Sequence, residues 1–332
     1  KSDYLTQGPR IKNFEEAFAN YVGSEYAVAV SNGTAALHLC AIALDVEPGD
    51  KVITSPITFA ASANCIRYCG GELTFADIDP KTYLIDIESV RCVLEEAPKG
   101  TYKGLIPVDF AGRAVNLEAF RQLAEEHGLW IIEDACHAPG GYFTDHKGET
   151  QHCGNGKLAD LSIFSFHPVK HIAAGEGGMI STDSKELYDK LCQLRTHGIT
   201  RDQSAYENSA AFATGVEGET QYPDWYMEMQ NLGYNYRLTD FQAALAQSQL
   251  ERAEEGVARR RELAANYETR LSGAPFLKGQ SRSIKGHAYH LYIIEVEDRL
   301  GLYNYLRAHQ VYAQIHYIPC HLMPYYRQRG WK

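Results

Sequence analysis

The sequence lacks the features that mark membrane, nucleic-acid-binding and disulfide-rich proteins. No uninterrupted apolar stretch approaches the length that crosses a bilayer, so we expect no transmembrane helix. No basic run is present, and 42 acidic against 32 basic residues give a net charge of −10, which argues against a general nucleic-acid or anionic-membrane surface. The eight cysteines form no Cys-x-x-Cys pair and no secretory signal is visible, which predicts reduced thiols in a cytoplasmic protein.

The length and composition predict a globular protein with one large or two medium domains. The chain has 332 residues, and 45% of them are apolar, which is enough for a substantial buried core. The sequence has no initiator methionine and stops abruptly at Trp331-Lys332, so we expect that both ends are cut.

The first two thirds of the chain alternate between short apolar strands and amphipathic helices. We predict strands at 25–31, 51–54, 72–78, 104–109, 129–133, 161–166 and 178–182. We predict helices at 33–44, 58–69, 116–127 and 184–195. Apolar strands separated by helices are typical of a mostly parallel sheet that is covered on both faces. The fold class is therefore α/β.

The last third has a different pattern. Residues 198–230 are polar and rich in tyrosine without clear periodicity, which is typical of a lid or binding loop. One long helix is predicted over 239–271, with Gly256 as its possible point of interruption. Strands at 290–296 and 313–318 with a helix at 299–309 indicate a smaller α+β unit. The predicted boundary therefore separates a large domain, 1–238, from a small C-terminal domain, 239–332.

Polar residues at two predicted strand ends are candidates for ligand binding, because open α/β sheets bind ligands at the carboxyl ends of their strands. Ser31-Asn32-Gly33-Thr34-Ala35 joins a strand to a helix N-terminus, where free amides favour a phosphate. The same residue types form ordinary N-caps, so both interpretations stay open. Asp134 ends an apolar strand, where it faces a cationic ring nitrogen or caps a following helix.

Lys170 lies between the strand at 161–166 and the glycine-rich run at 175–178. A lone lysine is usually a solvated surface residue. Glycines let the backbone pack tightly against a ligand, and a lysine held in such a place loses solvent and becomes a Schiff-base nucleophile. Both interpretations stay open on the local sequence.

Two clusters of histidine and cysteine suggest metal ligands. His146, His152 and Cys153 are close in sequence, but their spacing fits no standard zinc site, and the glycines of 146–156 indicate a surface loop. His316 and His321 are separated by a proline and are better explained as a substrate-facing loop. We therefore predict no metal site, and the role of 146–156 stays open.

Several of these segments occur together with motifs that are more specific than any one of them. They are Ser31 to Ala35, Pro56-Ile57-Thr58-Phe59, Glu133-Asp134-Ala135-Cys136-His137, Ser165-Phe166-His167-x-x-Lys170, Gly175-Glu176-Gly177-Gly178 and Leu232-Gly233-Tyr234-Asn235-Tyr236-Arg237. In this combination the whole chain resembles the DegT/DnrJ/EryC1/StrS sugar-nucleotide aminotransferases. The resemblance implies the aspartate-aminotransferase fold and the cofactor pyridoxal 5'-phosphate.

The resemblance also implies a role for each matching residue. Lys170 forms the Schiff base with the cofactor and moves protons; dehydratase relatives carry a histidine at this position, so the lysine indicates a transaminase. Asp134 keeps the pyridine nitrogen protonated, and Phe59 stacks on the ring. His137 stands where many relatives have glutamine, near the phenolic oxygen. The phosphate ligands implied are the amides of Thr34 and Ala35 and the hydroxyl of Ser165.

The implied reaction moves an amino group from glutamate to the 4-keto carbon of a UDP-linked sugar. Residues 167–171 and 316–317 look most like the branch that makes UDP-4-amino-4,6-dideoxy-N-acetyl-L-altrosamine, on the route to pseudaminic acid. Two alternatives are a transaminase of another UDP- or GDP-linked 4-keto sugar and a non-catalytic regulator that binds pyridoxal phosphate. A regulator normally carries a DNA-binding module, and none is visible in these residues.

The resemblance further implies a homodimer whose active sites are shared between subunits. Asn235 and Arg237, at i and i+2 of an extended segment, point the same way, although a capping loop before the 239–271 helix would explain them too. In the family this loop crosses to the partner's site. The implied substrate contacts are Asp3, Tyr4, Leu5, Thr6, Asn32, Ser165, Asn235, Arg237, His316 and Tyr317.

Overall fold

A computed structural model describes residues 4–275 and 284–331, and all structural statements below concern these ranges. Its centre is a seven-stranded sheet with the order β1-β9-β8-β5-β4-β2-β3. The strands are β1 (Tyr26–Val30), β2 (Lys51–Thr54), β3 (Glu72–Phe75), β4 (Tyr102–Ile106), β5 (Trp130–Asp134), β8 (Leu161–Ser165) and β9 (Gly178–Thr182). The pairs from β3 to β8 are parallel, and β9 pairs antiparallel with both β8 and β1. The predicted α/β class with a mostly parallel sheet is confirmed.

Two short hairpin-like pairs lie outside this sheet. β6 (Tyr142–Thr144) pairs antiparallel with β7 (Thr150–His152), and β10 (Ile199–Thr200) pairs antiparallel with β11 (Glu228–Met229). The first pair lies within the segment that was expected to be an irregular loop at 146–156. The second closes the base of the tyrosine-rich segment at 198–230.

The helices pack on both faces of the sheet. They are α1 (Pro9–Val22), α2 (Gly33–Ala43), α3 (Ala60–Tyr68), α4 (Ile87–Glu95), α5 (Leu117–His127), α6 (Lys185–Leu194), α7 (Ala210–Thr214), α8 (Asp240–Leu250), α9 (Ala253–Leu271), α10 (Arg299–Ala308) and α11 (Pro324–Arg327). Local sequence explains their ends: Asn116 caps α5 by accepting from the Ala119 amide, and Gly128 ends it at φ 69°.

The core alternates along each strand, as period-two geometry requires. In β1, Val28 and Val30 pack with α2, α3 and α6 on one face, whereas Ala27 and Ala29 pack with α1 and α8 on the other. On that second face, α4 and α5 pack over β2, β4 and β5. The loops at the carboxyl ends of the strands are thereby held between two apolar layers.

The long helix predicted over 239–271 is wrong in one respect, because it is two helices. The chain turns at Glu251 and Arg252, where Arg252 has φ −110° and ψ 7°, and Gly256 lies inside α9. α8 begins with a capping box formed by Thr239 and Gln242 and packs against α1. The break lets α9 take a different direction from the helix that α1 holds.

The strands predicted at 290–296 and 313–318 are also wrong. Neither segment belongs to a strand of the described sheets. The Ala288 and Leu291 amides instead donate to the carbonyls of Gly112 and Ala111, so this backbone is satisfied by a turn rather than by a ladder. The sequence analysis missed α1 and α4. Cys320 and Tyr326 pack into the core of the sheet, across the predicted boundary at 238.

Candidate active site

The site is formed where the carboxyl ends of β1, β5 and β8 meet the N-terminus of α2. A Cβ atom on Gly33 would lie 3.0 Å from Cβ of Ser165, and one on Gly178 would lie 2.6 Å from the Asn32 carbonyl. These glycines let the α2 N-terminus lie directly against the end of β8. The structure therefore brings the two predicted phosphate ligands, the 31–35 turn and Ser165, together.

Asn32 is the N-cap of α2. Its Oδ1 accepts from the Ala35 amide at 2.8 Å, and the Ala36 amide donates to its carbonyl at 3.0 Å. The cap interpretation is correct for Asn32. The amides of Gly33 and Thr34 precede the first intrahelical donor and point with the positive end of the helix dipole toward the site. Phosphate binding by the Thr34 and Ala35 amides stays a prediction, and the Ala35 amide already has an acceptor.

Asp134, at the end of β5, is 5% exposed and has both carboxylate oxygens bonded. Its Oδ1 accepts from the Cys136 amide at 3.1 Å, and its Oδ2 accepts from the Ser62 hydroxyl at 2.6 Å. No helix begins at Ala135 in the described chain, so the capping alternative is wrong. The carboxylate is instead held for a ligand on the sheet edge.

His137 lies beside Asp134 and is held in one tautomer. Its Nδ1 accepts from the Ala111 amide at 3.3 Å, so its Nε2 carries the proton and donates to the Tyr317 hydroxyl at 3.2 Å. Burial, together with the nearby Lys170 charge, holds the pKa of His137 well below its usual range. The neutral ring therefore offers one N–H at this place in the site.

Four histidines surround the Lys170 side chain. Their pKa values are lowered first by burial and in part by the positive charge of Lys170, which lies near each of them; they are His137, His171, His290 and His316. The pKa falls to about 4 for His171 and to about 2 for His290. His290 stacks on His137 with ring centroids 4.3 Å apart. At neutral pH the cluster is therefore uncharged.

Phe59, the N-cap of α3, has a ring that is 62% exposed beside this cluster. Its ring centroid lies 6.3 Å from that of Tyr317. A large apolar ring left open at the mouth of a polar site offers a face for stacking. The structure thus brings the predicted residues Phe59 and Tyr317 to the same site as Asp134, His137 and Lys170.

The segment 234–237 separates its side chains as the i, i+2 argument predicts. Tyr234 and Tyr236 stack on each other at 5.0 Å and pack against His38, whose Nδ1 lies 3.1 Å from the Tyr236 hydroxyl. Asn235 and Arg237 point the other way, and the Arg237 Nε donates to Asn235 Oδ1 at 3.0 Å. The capping alternative does not explain this pair, because the box at α8 is made by Thr239 and Gln242.

The N-terminal segment lies next to the start of α8. The Thr6 carbonyl accepts from the Asp240 amide at 3.0 Å, and Tyr4 and Leu5 are largely exposed. Asp3 lies outside the described residues. Substrate binding by 4–6, by Asn235 and by Arg237 stays a prediction, because their described contacts are with this surface rather than with the Lys170 cluster.

The zinc alternative at 146–156 finds no support in the side-chain positions. His146 pairs with Glu118 on α5, His152 is exposed on β7, and Cys153 is buried in the core. Cys153 lies instead near the carboxyl groups of Asp109 and Glu133. Burial raises the pKa of both carboxyl groups, which favours a shared proton, and we assign no metal to them.

The sequence analysis missed three residues that complete the site. Ser62 bonds to Asp134, and His171 and His290 border Lys170. A serine in the first turn of the helix after β2 was the available signal for Ser62. His290 belongs to a segment that was predicted to be a strand, which hid its place in the site.

These residues fit the pyridoxal phosphate that the resemblance implies. The glycine-lined contact between α2 and Ser165 leaves amides and a hydroxyl for a phosphate, and the Asp134 carboxylate is an acceptor for a protonated ring nitrogen. Phe59 offers an open ring face, and Lys170 supplies an amine beside them. Each chemical part of the cofactor therefore has a matching group of this chain.

Comparisons with known proteins agree with the geometry. The model of the DegT/DnrJ/EryC1/StrS aminotransferase family matches residues 1–332. The chain is 36% identical to the spore coat polysaccharide biosynthesis protein SpsC of Bacillus subtilis, over 100% of this chain and 82% of that protein.

Two solved structures extend the likeness to the fold. Helicobacter pylori PseC, described as an aminotransferase involved in the biosynthesis of pseudoaminic acid, is 28% identical with a TM-score of 0.82, over 99% of this chain and 82% of PseC. The PLP form of the putative sugar aminotransferase Spr1654 from Streptococcus pneumoniae is 26% identical with a TM-score of 0.83, over 99% and 83%. No described helix is both long and apolar enough to span a membrane. The chain therefore belongs to the DegT/DnrJ/EryC1/StrS aminotransferase family and is a pyridoxal-phosphate-dependent sugar aminotransferase.

Proposed function

We propose that the protein transfers an amino group from glutamate to the 4-keto carbon of a UDP-linked 4-keto-6-deoxy-N-acetylhexosamine. The product is UDP-4-amino-4,6-dideoxy-N-acetyl-L-altrosamine. The observation that carries the proposal is the arrangement of Lys170, Asp134, Phe59 and Ser165 around one cleft at the carboxyl edge of the sheet. An amine, an acceptor, an open ring face and phosphate donors in one cleft support transamination.

Each of these groups has a proposed task. Bound pyridoxal phosphate supplies an electron sink that stabilises negative charge at the α-carbon of the donor. Lys170 Nζ binds the cofactor, then removes the α-proton of glutamate and returns a proton in the second half-reaction. Asp134 keeps a proton on the ring nitrogen by opposing its positive charge.

The neighbouring groups orient the cofactor. Phe59 covers one face of its ring, and the Thr34 and Ala35 amides with the Ser165 hydroxyl bind its phosphate. The Nε2–H of His137, which donates to Tyr317 in this structure, is proposed to donate to the phenolic oxygen of the cofactor. The neutral histidines leave Lys170 as the cationic group of the cluster, so it is not opposed by further positive charge.

The substrate rests on relatives as well as on sequence. PseC, a structural neighbour, is described with pseudoaminic acid, which supports the altrosamine product. SpsC is described with spore coat polysaccharide, which favours the alternative that another UDP- or GDP-linked 4-keto sugar is the acceptor. His316, Tyr317 and Asn32 are proposed substrate contacts because they border the cleft.

The active site is proposed to be shared in a homodimer. Asn235 and Arg237 point away from the tyrosines that anchor their segment, and both are accessible. The segment 198–230 and its neighbours expose several large apolar side chains, namely Phe212, Val216, Trp225, Met227, Met229 and Leu232. An accessible polar pair beside exposed apolar side chains supports a subunit contact that brings Asn235 to the partner's site.

One assay tests the proposal. The purified protein, loaded with pyridoxal phosphate, is incubated with glutamate and a UDP-linked 4-keto-6-deoxy-N-acetylhexosamine, and 2-oxoglutarate is followed. Matched reactions replace the UDP sugar by a GDP-linked 4-keto sugar or glutamate by aspartate. We expect 2-oxoglutarate formation that depends on the UDP sugar. Equal rates with the GDP sugar would favour the alternative acceptor, and no turnover with any sugar would contradict the proposal.

A further inference from the structure

The Asp134 carboxylate has a fixed orientation within this chain. The Cys136 amide donates to Oδ1 at 3.1 Å, and the Ser62 hydroxyl donates to Oδ2 at 2.6 Å. Asp134 is 5% exposed and Ser62 is fully buried, so little water competes for these bonds. The side chain is therefore held at both oxygens by residues of its own subunit.

The hydroxyl proton of Ser62 has two acceptors of unequal strength. Ser62 Oγ lies 2.6 Å from Asp134 Oδ2 and 3.3 Å from the Phe59 carbonyl, and an ionised carboxylate is the stronger acceptor. Thr58 Oγ1 lies 2.7 Å from Ser62 Oγ. Because the Ser62 proton is engaged by Asp134, Thr58 is the donor of this second bond. The two hydroxyls thus donate in one direction, from Thr58 to Ser62 to Asp134.

The same short segment carries the ring that is proposed to cover the cofactor. Phe59 lies between Thr58 and Ser62 and is the N-cap of α3. The Cys320 amide donates to the Pro56 carbonyl at 2.8 Å, and the Cys320 thiol lies 3.5 Å from the Thr58 carbonyl. The turn is therefore fastened from outside, and it links the position of the Phe59 ring to the orientation of Asp134.

The neighbouring carboxylate provides an internal comparison. Glu133 Oε2 accepts from the Ser162 hydroxyl at 2.6 Å, the same distance as in the Ser62 bond. Both serines are fully buried, and the two carboxylates are adjacent in β5. Since side chains alternate across a strand, Glu133 lies on the opposite face and bonds also to the Gly154 amide. The chain thus contains two equivalent serine–carboxylate bonds, one at the site and one away from it.

We propose that Ser62, supported by Thr58, is a positioning residue that fixes the Asp134 carboxylate for the pyridine nitrogen of the cofactor. The inference rests on the proposed role of Asp134 and adds the group that orients it. A carboxylate with one oxygen bound by Ser62 and the other by Cys136 keeps its remaining lone pairs in a defined direction. Removal of the Ser62 hydroxyl leaves a buried oxygen without its closest donor, so the carboxylate rotates or loses part of its hydrogen bonding.

The test compares Ser62→Ala with Ser162→Ala, which removes an equivalent bond on the other face. The variants are loaded with pyridoxal phosphate labelled with nitrogen-15 at the ring, and the nitrogen chemical shift reports protonation of the pyridine. Cofactor affinity is measured by titrating the cofactor-free proteins. For Ser62→Ala we expect a shift toward the unprotonated nitrogen and about tenfold weaker cofactor binding, the order of one charge-assisted hydrogen bond.

The controls separate positioning from general destabilisation. Ser162→Ala should lower the melting temperature as Ser62→Ala does, yet keep the wild-type nitrogen shift and cofactor affinity. Thr58→Val, which preserves shape, should change both signals in the same direction as Ser62→Ala by a smaller factor, and it decides the matter if Ser62→Ala does not fold. Ser62→Cys, with a weaker donor, should fall between Ser62→Ala and the wild type.

Two results would overturn the inference, and they differ in what else they affect. If Asp134→Asn changes the nitrogen shift while Ser62→Ala and Thr58→Val do not, Ser62 does not position the carboxylate, and the proposed function stands. If Asp134→Asn itself leaves the nitrogen shift and the affinity unchanged, the role proposed for Asp134 is wrong, and the Ser62 inference is wrong with it.

Discussion

Asp134 and Glu133 are adjacent in sequence but have different environments, because β5 turns them to opposite faces of the sheet. Asp134 bonds to Ser62 and Cys136 at the cleft, whereas Glu133 bonds to Ser162 and Gly154 in the core. The position of Asp134 could be predicted from an acidic residue at a strand end. The Ser62 bond joins residues 72 positions apart, and no local pattern encodes such a contact.

Asp134→Asn should keep the fold and lose most activity. A neutral amide no longer opposes the positive charge of the ring nitrogen, and losing such a pair costs roughly 3 kcal/mol, or about two orders of magnitude in kcat. The measurement is steady-state kinetics with the visible spectrum of the bound cofactor. As a control, Asp160→Asn loses acceptors for Arg121 and the Ile131 amide before β8, and it should reduce stability alone. Turnover near wild type in Asp134→Asn with an unchanged spectrum would refute the assigned role.

The buried histidines around Lys170 make stability depend on pH. The pKa is about 4 for His171 and about 2 for His290 in the folded protein, against about 6.5 in an unfolded chain. The unfolded state therefore binds more protons below pH 6.5. The free energy of unfolding should fall as the pH drops from 6.5 toward 4, by up to about 1.4 kcal/mol per pH unit for each histidine.

Urea unfolding of the cofactor-free protein at pH 7.5 and 5.5 measures this dependence. His290→Asn should have a shallower slope than the wild type, since one proton fewer is taken up on unfolding. His309→Asn, which changes an exposed histidine of α10, serves as the comparison. An unaltered slope in His290→Asn would show that this imidazole is not kept neutral in the folded protein.

The segment 198–230 is the element that the sequence described least well. Its lack of periodicity predicted a loop, yet it contains α7 and a base formed by β10 and β11. Glu228 organises it: its carboxylate accepts from the Glu207 and Asn208 amides and from the Tyr226 hydroxyl. The rings of Tyr206, Tyr222 and Tyr226 pack on one another above it. Side-chain contacts rather than a periodic pattern hold this segment, so a sequence pattern could not reveal it.

Glu228→Gln should loosen this segment. Burial opposes the charge, but the amide and hydroxyl donors outweigh it and hold the pKa of Glu228 at about 2, so the charged form is bound throughout the neutral range. In the native protein this contribution is lost only as the pH falls from about 4.5 toward 2. Limited proteolysis at pH 7 should cleave Glu228→Gln within 203–230 about tenfold faster than the wild type. Glu217→Gln, an exposed change in the same segment, is the control, and equal cleavage of both variants would contradict the assignment.

For the whole molecule, the sheet and the cleft were predictable because apolar strands, glycines and polar strand ends are local signals. The assembly of the site was less so. Tyr317 bonds to His137 across 180 positions, from a segment that was predicted to be a strand. Whether Asn235 serves its own subunit or a partner is a property of the assembly, and the fold of one chain leaves Asn235 and Arg237 on the surface.

Subunit complementation tests the proposed sharing. Inactive Lys170→Ala and Asn235→Ala proteins are mixed under conditions where subunit exchange is verified. About half of the dimers are then hybrids, and each has one seam with both residues intact, so about a quarter of wild-type activity should return. Lys170→Ala mixed with Asp134→Asn should stay inactive, because both changes affect the same subunit's residues at a site. No recovery in the first mixture, with both variants folded and dimeric, would show that Asn235 does not serve the partner.

Mapping the lysine that carries the cofactor is the most direct test of the account. Borohydride reduction of the cofactor-loaded protein, followed by peptide mass analysis, identifies the modified residue. We predict that the reduced cofactor is found on Lys170, and that Lys170→Ala has neither the modification nor the yellow absorbance of the wild type. Lys147 and Lys157 lie nearby in sequence and serve as internal comparisons. Recovery of the modification on either of these lysines, with Lys170 unmodified, would contradict the site.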